Sequence, residues 1–264
     1  MARIRLDTLL AERGLFPSRT RAAASVMAGE VRVGGHGERA SKPGQLVDCE
    51  IAIDVDERPR YASRGGVKLA NALACFGIEP AGRRCLDVGA STGGFSDCLL
   101  QGGAEHVVAL DVAYGELDWG LRNDQRVTVL ERANARAMKR EDLPYAPDLV
   151  VIDVSFISIA KILPAVLSCV APERHDILAM VKPQFEVGRG RVGKGGVVRD
   201  PDERRAALIA VGTAAQGLGA SVLGYASSGL PGPKGNRESF IWLAQAGHGC
   251  AVDDVEAAAR EVES

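Results

Sequence analysis

Arg84-Cys85-Leu86-Asp87-Val88-Gly89-Ala90-Ser91-Thr92-Gly93-Gly94-Phe95 is the stretch that decides how most of this chain folds. A short apolar-rich strand, Arg84–Val88, runs into a glycine turn. The turn opens a helix over Gly94–Gln101, as a nucleotide-type cofactor loop should. Gly89, Gly93 and Gly94 let backbone approach a ligand, Asp87 and Ser91 carry polar groups to it, and Phe95 starts the helix. Ser91 stands where the second glycine of G-x-G-x-x-G would be, so there is no pyrophosphate fingerprint. About twenty residues on, Asp111 ends the next strand, where a carboxylate accepts from ribose hydroxyls. Asn134, after the strand Val127–Leu130, reads equally as an adenine contact or as a plain loop asparagine. Alone, the stretch also suits a helix-entry turn in some other α/β enzyme.

Outward from this turn the pattern repeats. The spacing of apolar residues predicts a helix over 67–76, strands over 106–111 and 149–153, and a long helix over 157–170. A strand over 177–182, a helix over 202–216 and strands over 221–226 and 239–244 follow. Apolar strands alternating with helices imply a mostly parallel sheet covered on both faces. The last two strands are joined by Ser227–Asn236, too short and too rich in Gly and Pro for a helix, so they pair antiparallel. The predicted fold class is α/β, a Rossmann-like domain of the class I methyltransferase outline preceded by a small α+β domain. In that small domain, helices over Asp7–Arg13 and Ser18–Ala28 precede a strand at Val31–Val33 and a strand region over Leu46–Val55. The expected division is residues 1–57, a linker over 58–65 marked by Pro59, and 66–264.

Composition narrows the function classes. The 264 residues are 46% hydrophobic and 25% charged, ordinary for a globular protein, and the net charge of −2 excludes a uniformly basic coat. Residues 1–47 nevertheless carry eight Lys and Arg against four Asp and Glu, a basic head suited to phosphate. The six cysteines contain no C-x-x-C pair, and only Cys250 has a histidine nearby, His248. They read as free thiols of a reducing compartment rather than metal ligands. The start lacks the apolar core of a secretory signal, and the longest greasy stretch, Val154–Pro172, is interrupted by Lys161 and Pro164. The expectation is a cytoplasmic monomer without metal or membrane attachment.

Four polar residues carry the chemical question. Asp153 and Lys182 end consecutive strands, Glu238 enters the last one, and Lys68 lies on the helix before the first. Functional groups gather at the carboxyl ends of such strands. A hydroxyl is a poor nucleophile that needs a base or firm orientation. Burial and a neighbouring cation favour a neutral amine while carboxylates favour the ammonium, and this set contains both influences. Two structural ion pairs are the equal alternative. Gly188-Arg189-Gly190-Arg191-Val192-Gly193-Lys194-Gly195 imitates a phosphate loop, but Gly195 replaces the magnesium-binding Ser or Thr. With Arg199 it reads as a basic flap over a polyanion or as a solvated loop.

With these motifs laid out, the chain resembles the TlyA family, labelled both "hemolysin" and ribosomal RNA 2′-O-methyltransferase. Arg5-Leu6-Asp7-Thr8-Leu9-Leu10, Ser18-Arg19, Ala28-Gly29-Glu30-Val31-Arg32-Val33 and Lys42-Pro43-Gly44 resemble a ribosomal-protein RNA-binding fold. Ser63-Arg64-Gly65-Gly66-Val67-Lys68, the Asp87–Phe95 loop, Asp153-Val154-Ser155-Phe156-Ile157-Ser158 and Val181-Lys182-Pro183-Gln184-Phe185-Glu186 resemble an FtsJ-type catalytic domain. The resemblance implies S-adenosyl-L-methionine (AdoMet) as methyl donor and a cytidine ribose of ribosomal RNA, in one or both subunits, as acceptor. It implies too that some members thereby sensitise ribosomes to cyclic peptide antibiotics such as capreomycin. The family's catalytic Lys-Asp-Lys-Glu set falls on Lys68, Asp153, Lys182 and Glu238, with Lys182 activating. Asp87, Gly89, Ser91, Gly93, Gly94, Phe95, Asp111, Asn134 and Asp153 are then the cofactor residues. Arg5, Arg19, Arg21, Arg64, Arg189, Arg191 and Lys194 are the RNA contacts. A non-catalytic ribosomal-RNA assembly factor and a cytolysin are the competing functions.

Overall fold

The computed structural model describes residues 3–27, 29–35, 37–55 and 60–263, with the Arg189 side chain also outside the described set. The chain forms two compact units, Met1–Pro59 and Arg60–Ser264.

In the first unit, β1 (Arg3–Arg5) leads into α1 (Leu6–Glu12), and α2 (Arg19–Met27) follows. Then come β2 (Val31–Val33), β3 (Glu38–Arg39), β4 (Leu46–Asp48) and β5 (Ile53–Val55). Leu6, Leu9 and Leu10 of α1 recur at helical spacing and bury against Ala22 and Val26 of α2 and Val31 of β2. Gly14 at φ +71° follows the end of α1 and Gly29 at φ +76° follows α2, while Ala28 lies outside the described residues. The region Leu46–Val55, expected as one strand, is two. β4 pairs with β1 and β5 with β2, because a turn at Glu50, closed by Asp48, breaks the run. β1 and β3 escape sequence reading because short charged strands carry no alternation.

The second unit is built on α3 (Arg64–Phe76), β6 (Arg84–Val88), α4 (Gly94–Gln101), β7 (His106–Leu110), α5 (Trp119–Arg122) and β8 (Val127–Leu130). These are followed by β9 (Leu149–Ile152), α6 (Leu163–Cys169), β10 (Asp176–Val181), α7 (Pro183–Glu186), α8 (Pro201–Gly217), β11 (Ser221–Ser227), β12 (Ser239–Ala244) and α9 (Val255–Val262). The seven strands lie in the order β11-β12-β10-β9-β6-β7-β8. β12 runs antiparallel to both β10 and β11, and the pairs from β10 through β8 are parallel. Every residue of β9 and β10 is buried, as continuous apolar central strands require. One hydrophobic cluster, with Ile162, Leu163 and Leu208, covers one face, and another, with Leu69, Leu99 and Phe240, covers the other.

The long helix expected over 157–170 is shorter. A 3₁₀ turn at Ile159–Lys161 precedes the seven residues of α6, with Pro164 in the first turn. Proline lacks the amide a helix interior needs, so the helix can start only around it. Within the stretch read as a linker, residues 58 and 59 lie outside the described residues. Tyr61 is buried in the second unit, and Ser63 caps α3, its Oγ accepting from the Gly65 amide at 3.2 Å. α9, missed in the sequence, is capped by Asp254 and buries Val255 and Ala259.

α3 crosses α4 at Gly66 and Gly94. A Cβ on Gly66 would lie 2.4 Å from Tyr61 Cβ and 2.7 Å from the Gly94 carbonyl oxygen. Alanine ordinarily favours a helix by about 1 kcal/mol over glycine. Here Gly66→Ala is expected instead to destabilise by about 1–3 kcal/mol, because the buried Tyr61 side chain and the Gly94 backbone must both shift. Urea unfolding of the variant at or above wild-type stability would refute this reading of the crossing.

Candidate active site

The carboxyl ends of β6, β9 and β10 and the start of β12 meet the first turns of α3. Gly89, at φ +88°, lets β6 end against β9: a Cβ there would lie 2.6 Å from the Asp153 carbonyl oxygen. The Asp153 amide donates to the Val88 carbonyl at 2.9 Å, so Asp153 is held directly beside the glycine turn. Lys182, the residue after β10, brings Nζ to 2.5 Å from Asp153 Oδ1 and donates to Ser155 Oγ at 3.0 Å. Lys68 is buried on α3, and its Nζ donates to Glu238 Oε2 at 2.5 Å. Glu238 is itself buried, in a space kept by Gly232, whose Cβ would meet Glu238 Oε1 at 2.5 Å.

All four residues line one cavity of about 330 Å³, together with Gly89, Ser91, Gly94, Phe95 and Arg64. They are therefore two ion pairs and one site at once. A buried pair gives up much of its attraction to desolvation, so stability alone is a weak reason to keep one at a cavity wall.

Two more cavities adjoin. One of about 420 Å³ shares Gly89, Ser91, Asp153 and Ser155, and has apolar walls from Leu110, Val112, Ile157 and Ile162 with Asp111 and Asn134 among its polar groups. Asp111 accepts from the Ser91 and Ala113 amides, both at 2.7 Å, which fixes the glycine turn and leaves each oxygen a further lone pair. Asn134 uses Oδ1 to cap the next turn at the Arg136 amide, 3.0 Å away. The third cavity, about 320 Å³, shares Ser155, Lys182 and Glu238 and is walled by Phe156, Phe185 and Asn236. Phe156 is 91% exposed at φ +66°, with its ring centroid 5.1 Å from that of Phe185.

Two expected cofactor residues support the site without lining these cavities. Gly93, at φ +92°, faces Leu117 and Leu121, where a Cβ would lie 2.3 Å from Leu121 Cδ1. Asp87 is fully buried and accepts from the Ser96 amide at 2.9 Å and hydroxyl at 2.7 Å, anchoring the first turn of α4. Its other oxygen has no protein partner. Burial pushes its carboxyl up to about 7, with the Ser96 bonds acting the other way.

The basic residues divide. In the first unit, Arg5 forks onto Asp7 at 3.1 and 2.6 Å, and Arg19 approaches the same carboxylate at 3.7 Å. One buried acid thus aims two half-exposed arginines, with Arg21 exposed nearby on α2. In the second unit, Arg64 is exposed at the first cavity and Lys194 is exposed in the glycine-rich loop. Arg191 is tied to Glu203 at 3.0 Å and to the Val187 carbonyl at 2.7 Å, while the Arg189 side chain lies outside the described residues. Sequence reasoning missed Asn236, which takes the Val198 amide and donates to the Gly196 carbonyl. No local pattern marks a single loop asparagine. Ser155 and Phe156 lay inside a quoted motif, but no role was readable for them.

Residues 61–245 match the FtsJ-like methyltransferase model and residues 4–48 the S4 domain model. The chain belongs to the TlyA family. It is 52% identical over 243 residues to "16S/23S rRNA (cytidine-2'-O)-methyltransferase TlyA" of Mycobacterium tuberculosis, covering 91% of this chain and 90% of that one. It is 39% identical to "Hemolysin A" of Brachyspira hyodysenteriae, over 89% and 97% of the two chains. A solved hemolysin-named structure from Streptococcus thermophilus superposes with a TM-score of 0.72 at 37% identity, covering 99% of this chain and 96% of that one. The larger unit of this TlyA-family protein is thus a methyltransferase on an α/β sheet, and the smaller one an S4 domain. Among the described residues no helix is long and apolar enough to cross a membrane, and no group of three or more His, Cys, Asp or Glu is poised for a metal.

Asp87 makes this site pH-sensitive in a defined direction. Folding raises its pKa, so between about pH 4 and about pH 7 the folded state keeps a proton the unfolded chain has released. The stability this contributes is complete below about pH 4 and lost as the pH rises through about 7. Asp87→Asn removes the titration, so the stability difference should move in favour of the variant by on the order of 2 kcal/mol from pH 5 to pH 7. Denaturant unfolding of both proteins at the two pH values measures it, and parallel pH profiles would contradict it.

Proposed function

We propose that this protein transfers a methyl group from AdoMet to the 2′-hydroxyl of a cytidine in ribosomal RNA. The observation that carries the reading is the Lys182–Asp153 pair, which lines the central cavity and bridges its neighbours, Asp153 reaching the cavity with Asp111 and Asn134 and Lys182 the one with Phe185 and Asn236. The relative from M. tuberculosis, named for this reaction, supports the substrate.

The residues present fit AdoMet. Gly89 and Gly94 present bare backbone at the cavity wall, Asp111 has lone pairs for ribose hydroxyls, and the Asn134 side-chain amide is free to donate to a purine edge. The apolar walls around Ile157 and Ile162 suit an adenine face. AdoMet supplies an electrophilic methyl carbon on a sulfonium. With AdoMet bound, the 2′-oxygen would bond to that carbon and the sulfur would leave as a thioether. In its amine form Lys182 Nζ accepts the hydroxyl proton, and Asp153 and Ser155 hold the resulting ammonium. Lys68 and Glu238 complete the wall and offer donor and acceptor to the same ribose. Phe156 and Phe185 provide an aromatic face for a base turned out of its stack. The S4 unit grips the RNA through phosphate contacts from the Arg5, Arg19 and Arg21 surface.

Lys182→Ala is expected to lower incorporation of labelled methyl from AdoMet into ribosomal RNA by about 100-fold or more. AdoMet affinity measured by calorimetry should change only a few-fold. Undiminished incorporation would remove Lys182 from the reaction, and absence of AdoMet binding by the wild-type protein would sink the whole reading.

For the S4 unit, the Arg19→Ala/Arg21→Ala double variant should flatten the dependence of log affinity on log salt by about 1 to 2 units of slope. Filter binding across a salt series tests this, and an unchanged slope would exclude that surface from phosphate contact.

A further inference from the structure

Phe156 holds a backbone conformation that bulky residues rarely adopt, φ +66°, while almost all of its side chain faces solvent. Such a residue is strained and persists only where its surroundings over-determine it. The surroundings here are one short segment. Residues 182–186 supply Lys182 to the near end of the 153–159 loop, at Asp153 and Ser155. They supply Glu186 to its far end, where Oε1 accepts from the Ile159 amide at 2.9 Å and Oε2 from the Ser158 hydroxyl at 2.6 Å. Between the two, Phe185 packs on Phe156. Burial pushes the Glu186 carboxyl up, and the Ser158 and Ile159 bonds oppose this, so the group is held at an electrostatic cost.

The loop so bracketed separates two cavities. Ser155 and Phe156 line both the one with Asp111 and Asn134 and the one with Gln184 and Asn236. We propose that Glu186 is a positioning residue that locks the 153–159 loop from its far end, setting Phe156 as the fixed partition between cofactor and nucleotide. The inference rests on the methyl-transfer reading above for its kinetic consequence, and on hydrogen bonds alone for the bracket. Glu186 touches neither reacting atom. It acts through Phe156, which distinguishes it from a residue that merely adds stability.

The experiment uses the full chain and the variants Glu186→Ala, Glu186→Gln, Phe156→Ala and the Glu186→Ala/Phe156→Ala double. Methyl transfer from labelled AdoMet to ribosomal RNA is read as kcat and KM. Hydrogen exchange of residues 154–160 is followed in parallel. Glu186→Ala should lower kcat/KM by about 10- to 100-fold and abolish protection of the Ile159 amide. Glu186→Gln should stay within about threefold, since its carbonyl still accepts from Ile159 and its amide can donate to Ser158 Oγ. In the Phe156→Ala background, Glu186→Ala should cost less than about twofold more. An active Glu186→Ala protein, penalties that multiply in the double variant, or a Gln variant as impaired as Ala would each overturn the proposal. If Glu186→Ala does not fold, Ser158→Ala removes one bond from the loop side and should give a partial loss of about threefold, no change counting against the bracket. Should the wild-type protein fail to methylate RNA, exchange alone decides. Lost Ile159 protection in Glu186→Ala then upholds the bracket while the function falls, and retained protection overturns it.

Discussion

The site depends on one close approach, that of the Gly89 backbone to the carbonyl of Asp153. With φ +88° and no Cβ, Gly89 allows the ends of β6 and β9 to touch, which a Cβ at 2.6 Å from the carbonyl oxygen would forbid. From that contact follow the neighbours. Asp153 is held beside the glycine turn, Lys182 at the end of the next strand reaches its carboxylate, and Asp111 reaches across to the Ser91 amide. Three strand ends are thereby tied to one turn before any ligand is considered. A low-dielectric wall with fixed dipoles is the setting in which a developing charge is best met.

The charged pairs around this point are balanced rather than strong. Lys68 with Glu238 and Lys182 with Asp153 neutralise one another at the wall of a single cavity, so neither lysine is left as an uncompensated buried cation. They differ in setting. The first pair is enclosed between α3 and the entry to β12 and is shaped by Gly232. The second also holds Ser155 and shares walls with both neighbouring cavities. That difference is the ground for proposing Lys182, rather than Lys68, as the residue that exchanges a proton with the substrate. The same economy appears in the first unit, where buried Asp7 aims Arg5 and Arg19.

Much of the fold was legible because it follows from periodicity. The strands at Arg84–Val88, Val127–Leu130 and Ser239–Ala244 are predominantly apolar, and the short Gly- and Pro-rich connection at 227–236 fixes an antiparallel ending. The reading failed where local signals conflict. Pro164 and Lys161 sit inside an apolar stretch that looks helical, yet the missing proline amide confines the helix to Leu163–Cys169. Very short elements such as α5 and α7 hold too few residues to show a period. At Gly93 the spacing did not show the packing constraint, that Leu117 and Leu121 fill the space where a side chain would lie.

By itself the sequence determined the alternation of strands and helices, the glycine turn with its acidic neighbours, and the identities of Lys68, Asp153, Lys182 and Glu238. These are properties of spacing and residue type, which local physics sets. Only the tertiary structure decided the pairing of lysine with carboxylate, Lys68 with Glu238 across 170 positions and Lys182 with Asp153 across the sheet. It also decided that Asp87 turns inward to hold α4, that Glu186 bonds Ser158 and Ile159, and that Phe185 packs on the strained Phe156. Such contacts join residues far apart in the chain through strand order and close packing. No local pattern of side chains encodes them.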